Sequence, residues 1–259
     1  MKMFYNFFVL ACLNLAVLYP LCLWSVAKNP LKNDFYKFHL GLPNFFGGIA
    51  VICFLLLSAP LTLKLFVLGW KCLFLYVTFY NWKKPYPKMG QLTATSFLGM
   101  FLMTFLLACL FGPNPGLIFM VLLSGFILSF SLFSLGLGFW YAQNEGLSFE
   151  YLRRTVRIFI VLLFVRWVWD VGVFFTGRLL YQGQMTPVSN FLFKSDGFLL
   201  FFVLWIGTLL PLAMLYFVKG SLNWRRLPAI NEMLSSSFCL ILAGDVVTKY
   251  YTARYFISM

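Results

Sequence analysis

Charge is what this sequence has least of. Only 10% of its 259 residues are charged and seven are acidic, whereas a soluble domain carries about 25% charged residues to cover its core. Most of this chain's surface must therefore meet hydrocarbon rather than water. Histidine is scarcer still, with His39 alone. One histidine excludes bis-histidine haem, and a His–Met haem is open only formally, so no haem is expected. Nor do His and Cys stand at a spacing useful for zinc. No Cys-x-x-Cys pair occurs, and Cys12, Cys22, Cys53, Cys72, Cys109 and Cys239 all lie in apolar stretches. They read as buried thiols packing like small apolar residues, without a disulfide framework.

What is abundant is hydrophobic sequence, at 62%. A helix needs ~20 mainly apolar residues to cross ~30 Å of bilayer core, and runs of that kind fill the chain. An open chain in lipid must satisfy its backbone within each segment, so helices are the only option. The expected fold is all-α, a polytopic membrane helix bundle forming one domain over 1–259, with no room for a separate catalytic domain. Seven spans are expected, at 4–27, 64–82, 92–112, 116–141, 155–178, 197–218 and 231–255. Polar or proline-bearing connections separate them, such as Lys83-Lys84-Pro85, Gly112-Pro113-Asn114-Pro115, Asn144-Glu145-Gly146, Gln182-Gly183-Gln184 and Trp224-Arg225-Arg226. The stretch 45–63 is the open question. It is apolar enough to make an eighth span, but an amphipathic or re-entrant segment is favoured. The first run is long for a signal-peptide core, and Lys28-Asn29-Pro30 makes a poor cleavage site, so a retained helix is expected.

The net charge of +13 points away from nucleic acid, because the basic residues sit in short runs between apolar stretches. That is the positive-inside pattern of a multi-pass protein whose partner is membrane lipid. Loops 83–90, 142–154 and 219–229 then face the cytoplasm and the C-terminus lies outside an inner (cytoplasmic) membrane. The 33 Phe, 13 Tyr and 8 Trp are ordinary lipid-facing and interfacial residues; Tyr36, Trp82, Tyr86, Tyr141, Tyr151, Tyr181 and Trp224 fit interfacial belts.

Charges inside spans are costly and need a reason. Arg166 and Asp170 stand four apart in the fifth expected span, on one helix face, and Asp245 and Lys249 repeat the spacing in the last. Each is either an ion pair joining helices or part of a functional site.

Three stretches, in order, resemble the membrane-anchor subunit of the dimethyl sulfoxide reductase family. His39-Leu40-Gly41-Leu42-Pro43 is similar to that family's His-Leu-Gly-x-Pro at the outer end of a helix. Ser58-Ala59-Pro60-Leu61-Thr62-Leu63-Lys64 resembles its Ser-x-Leu-Ser-x-Glu, with Lys64 where the acid is expected. Ala243-Gly244-Asp245, with Lys249 and Tyr250, is similar to its closing Gly-Glu-x-x-x-Arg. The resemblance covers roughly 39–259. It implies a haem-free anchor that oxidises menaquinol or another quinol and docks an iron–sulfur subunit and a molybdenum catalytic subunit at the outer face. It implies a quinol site near that face at His39 and Lys64, with Arg166–Asp170 and Asp245–Lys249 as structural pairs nearby. Loops 28–44 and 179–196 would form the docking surface. The family usually has eight helices, so on the seven-span count the first is missing here. The bare residues leave other readings open. His39 can be an interfacial side chain at a helix end, the chain can be a multi-pass small-solute transporter, and a lipid-modifying enzyme lacks an obvious nucleophile and base.

Overall fold

A computed structural model describes residues 2–26, 33–144, 149–181, 184–222 and 226–255. Among them are eight helices long and apolar enough to cross a bilayer, which makes this a multi-pass membrane protein. They begin with α1 (Lys2–Cys22), α2 (Asn33–Leu56), α3 (Leu61–Trp82), α4 (Met89–Phe111), α5 (Pro115–Gln143) and α6 (Glu150–Thr176). A hairpin of β1 (Arg178–Tyr181) and β2 (Gln184–Pro187) and a short α7 (Val188–Leu192) follow. The seventh span is composite: α8 (Phe198–Phe202), a π-helical segment (Val203–Leu209) and α9 (Leu210–Ser221). The last is α10 (Leu227–Tyr255).

Of the two counts left open, eight is found: α2 takes in 45–56 of the open stretch but begins earlier, at Asn33. Asn33, Asp34, Lys37 and Asn44 give the first half of α2 the look of a polar connection. Its buried residues nevertheless keep the helical period throughout: Phe35, Tyr36, His39, Leu40, Pro43, Gly47, Ala50, Val51 and Phe54. The helix stops at Leu56, and 57–60 turn the chain into α3. Arg153, Arg154 and Arg157, expected in or beside a loop, lie in the first turns of α6. Residues 145, 146, 182, 183, 224 and 225 of the expected connections lie outside the described residues.

Two compact units divide the chain, Met1–Ser129 and Phe130–Met259, and the boundary falls within α5. In the first, α1 is the core. Its apolar stretch is 78% buried against 39–44% for α2, α3 and α4, so the three outer helices keep one face each for lipid. Val9, Leu13, Ala16 and Val17 pack with Val51, Phe54, Val67, Phe74, Met103 and Leu106. Asn14 Nδ2 donates to the Val121 carbonyl at 2.6 Å, a bond that ties α1 to α5 in apolar surroundings. Gly112 ends α4 with φ 80° and ψ 167°, a combination essentially confined to glycine. Asn114 then caps α5, its Oδ1 accepting from the Leu117 N–H at 3.1 Å.

In the second unit the π-helical segment meets α10 at two glycines. A β-carbon on Gly244 would stand 2.6 Å from Gly207 Cα, so the two backbones approach as only small residues allow. The hairpin and α7 form a packed cap. Leu179, Val188, Phe191 and Leu192 gather around Leu200 and Tyr251, and the Tyr181 hydroxyl donates to Asp196 Oδ2 at 3.2 Å. The described residues of the expected loop 179–196 thus form the hairpin strands, α7 and the turn that follows it. Several side chains depart from expectation: Tyr36 and Tyr141 are buried rather than in belts. Cys72, Cys109 and Cys239 are exposed on apolar helices, with only Cys12 and Cys22 buried.

Candidate functional site

The most concentrated polar chemistry inside an apolar environment lies in the first unit, where α1, α2 and α3 meet. Proline shapes two of these helices there. Pro20 in α1 and Pro43 in α2 carry no N–H, so neither can donate to the carbonyl four residues back, Ala16 and His39 respectively. Tyr19 precedes the first proline and His39 stands one turn before the second. The Tyr19 hydroxyl lies 2.6 Å from His39 Nδ1. With tyrosine as donor, a neutral imidazole carries its proton on Nε2. Both residues are 1% exposed. The rings of Tyr19 and His39 stack, and Phe35 and Phe38 approach the imidazole with centroids at 4.2 and 5.2 Å.

Asn44, five residues along α2, joins this pair to α3. Its Nδ2 donates to the Leu40 carbonyl at 2.9 Å and to Thr78 Oγ1 at 2.7 Å. Its carbonyl and Oδ1 accept from Lys71 Nζ at 2.8 and 2.9 Å. Lys71 is buried, and no carboxylate pairs with it among the described residues. Gly47 makes space for its head: a β-carbon there would lie 3.1 Å from both Lys71 Nζ and Ala16 Cβ. The Phe74 ring centroid, 5.6 Å from Nζ, supplies the lysine with an aromatic face. The cluster thus offers a proton acceptor, a hydroxyl and a cation from three helices, gathered along the His39–Gly47 stretch of α2. Gly41 lies near Trp82, so His39 sits at the end of this unit that bears the connection with Lys83, Lys84 and Lys88.

Lys64 is not part of this site. It lies at the start of α3 with Nζ on the Leu55 carbonyl at 2.7 Å. Leu55 is sixteen residues beyond His39 on α2, roughly 24 Å at the helical rise of ~1.5 Å per residue. The expected pairing of His39 with Lys64 is corrected: Lys71, two turns further along α3, is the lysine that reaches the neighbourhood of His39. Residues 33–44, expected in a docking loop, belong to α2, and 28–32 lie outside the described residues.

An apolar cleft of about 430 Å³ opens between α3 and α4, lined by Leu65, Phe66, Leu73, Leu98, Phe101 and Phe105 among others. The indole N–H of Trp70, also on its wall, is taken by the Thr95 carbonyl at 3.0 Å. The cleft therefore suits a hydrocarbon chain rather than a polar headgroup.

The other expected residues lie in the second unit. Arg166 Nε stands 3.7 Å from Asp170 Oδ2, both side chains being 2% exposed. Arg166 Nη2 donates to Thr248 Oγ1 at 3.0 Å, tying α6 to α10. Thr208 Oγ1, in the π-helical segment, is 3.5 Å from Asp170 Oδ2. Asp245 and Lys249 form an ion pair along α10. Both pairs exist as the four-residue spacing implied. Tyr19, Asn44, Lys71 and Thr78 went unnoticed in the sequence as site residues. Tyr19-Pro20 and the His39-to-Pro43 spacing are the signals that could have raised the first of them.

No group of three or more His, Cys, Asp or Glu residues is placed to hold a metal ion among the described residues. Comparison with known proteins finds no matching family model, no matching curated protein and no matching solved structure.

Proposed function

We propose that this chain is a haem-free membrane subunit that binds a quinone or quinol beside His39 and exchanges electrons with an iron–sulfur partner. The observation that carries this reading is the buried Tyr19–His39 pair on apolar helices, with Asn44, five residues along α2, holding a Lys71 that has no carboxylate partner among the described residues. Quinol oxidation releases two protons and two electrons. His39 and Tyr19 form a short acid–base couple that can take a proton from a quinol hydroxyl. Lys71 offers a positive charge to the quinone oxygen, where negative charge develops. The apolar surroundings suit the ring, and an isoprenoid tail is compatible with the lipid-facing sides of α2, α3 and α4. The single histidine leaves electron transfer to metal centres in another subunit.

The resemblance to the dimethyl sulfoxide reductase anchors supplies the rest as proposal: menaquinone or a similar quinone, an iron–sulfur subunit and a molybdenum catalytic subunit. Sidedness follows from charge. With eight spans, Lys83, Lys84, Lys88, Arg153, Arg154, Arg157, Lys219 and Arg226 fall on one side, which the positive-inside rule assigns to the cytoplasm of an inner membrane. The C-terminus then lies outside. The same rule supports a quinone site near the inner face, where the resemblance implied the outer one, and the iron–sulfur partner would then approach from inside.

A small-solute transporter is the second reading, favoured by the π-helical interruption of the seventh span. Gentle purification from the native membrane separates the two. Iron–sulfur and molybdenum subunits with extractable quinone are the expected companions, and Lys71→Met should weaken quinone binding at least ~10-fold, about 1.4 kcal/mol. A lone polypeptide, without metal or quinone and active in vesicle uptake, would overturn the anchor reading.

A further inference from the structure

The second unit holds a carboxylate whose surroundings do not account for it. Asp170 lies in the last third of α6, six residues before its end, and is 2% exposed. Its Oδ2 has one long hydrogen bond, from Thr208 at 3.5 Å, and an ion contact at 3.7 Å with Arg166. Its Oδ1 has no hydrogen-bond partner, and neither has Arg166 Nε. A buried carboxylate is ordinarily held in its ionised form by two or more good hydrogen bonds. Here Oδ1 is a bare acceptor, and the guanidinium beside it is anchored elsewhere, through Nη2 to Thr248. A metal cation is disfavoured by that fixed positive charge. The smallest cation is not, because it binds covalently and leaves a neutral carboxyl.

The elements packed around Asp170 agree. The facing segment Val203–Leu209 is π-helical, so its N–H groups bond carbonyls five residues back and the regular ladder is interrupted opposite the carboxylate. That segment and α7 carry no charged residue, and α9 carries only Lys219 near its far end. On α10, Thr248 lies between Asp245 and Lys249, which pair with each other. Arg166 is thus the one charged group in contact with Asp170 among the described residues.

We propose that Asp170 is a proton-binding site. A proton from the aqueous phase bonds to Oδ1, converting the carboxylate to a carboxyl, and Arg166 stays with Thr248 as an uncompensated cation. On deprotonation the same proton leaves to water and the Arg166–Asp170 pair is restored. The site lies in the second unit and is independent of the quinone reading.

Infrared difference spectroscopy of the full chain in lipid vesicles, taken between neutral and acidic pH, tests this. The expected result is a protonated-carboxyl C=O band that shifts in deuterated water. It should be lost in Asp170→Asn, kept in Asp245→Asn and moved in frequency by Thr208→Val. If Asp170→Asn does not fold, Asp170→Glu replaces it, and the band should persist at a changed frequency. Absence of the band in the unaltered chain, its loss in Asp245→Asn, or no response to any change at Asp170 would each overturn the assignment.

Discussion

The two units handle buried charge in opposite ways. In the first, Lys71 has no carboxylate partner among the described residues and is held by the backbone and side chain of Asn44 on the preceding helix. In the second, Arg166 and Asp170 are supplied by one helix, four residues apart, and the neighbouring helices contribute only threonine hydroxyls. A charge balanced within its own helix can be inserted into a bilayer as a neutral unit. One balanced only by amide dipoles from a neighbour keeps a field that a ligand can use. On the proposed quinone reading, the charge of Lys71 would serve binding, whereas Arg166 first neutralises a carboxylate of its own helix.

Exchange of each cation for methionine is the strongest way to break this comparison. Arg166→Met strips Asp170 of its partner and should cost about 3–5 kcal/mol of stability, read as a lower midpoint in denaturant or heat in detergent. Lys71→Met orphans two acceptors, a loss of about 1–3 kcal/mol. It also removes an unpaired cation whose presence inside a bilayer costs about 2.5–3.5 kcal/mol. Its stability should therefore stay near that of the parent while quinone binding falls. Equal destabilisation by the two changes would erase the distinction.

Glycine gives a smaller contrast. Gly244→Ala pushes a methyl group to 2.6 Å from Gly207 Cα and should cost about 1–3 kcal/mol. Gly48→Ala in the first unit meets nothing within 4 Å and should be neutral or stabilise by up to about 1 kcal/mol through helix propensity. Thermal unfolding of the pair reads the difference directly. Smallest of all, Tyr19→Phe removes one hydroxyl from His39 and should cost about 0.5–1.5 kcal/mol, with a larger proportional effect on quinone titration than on unfolding.

The helix bundle was legible because lipid imposes one rule on every residue of a span, and hydrophobic runs of the right length state it openly. The exception is instructive. The first half of α2 was hidden by Asn33, Asp34, Lys37 and Asn44, since a span's polar groups can be satisfied by neighbours that the sequence does not reveal. Site legibility followed the same division. Arg166–Asp170 and Asp245–Lys249 could be paired from spacing because their geometry is that of a single helix. Tyr19, His39, Asn44 and Lys71 come from three helices, and only packing unites them. Lys64 was joined to His39 by the resemblance of their motifs, although most of α2 runs between them.

The short turn between α2 and α3 has a consequence for biosynthesis. Residues 57–60 reverse the chain tightly, and Lys64 reaches back to the Leu55 carbonyl, sealing the exposed end of α2 with the first turn of α3. Two such helices leave few unsatisfied groups at their shared tip. They can enter the bilayer as one hairpin around this compact tip, so that Asn44 meets Lys71 as the two helices pack.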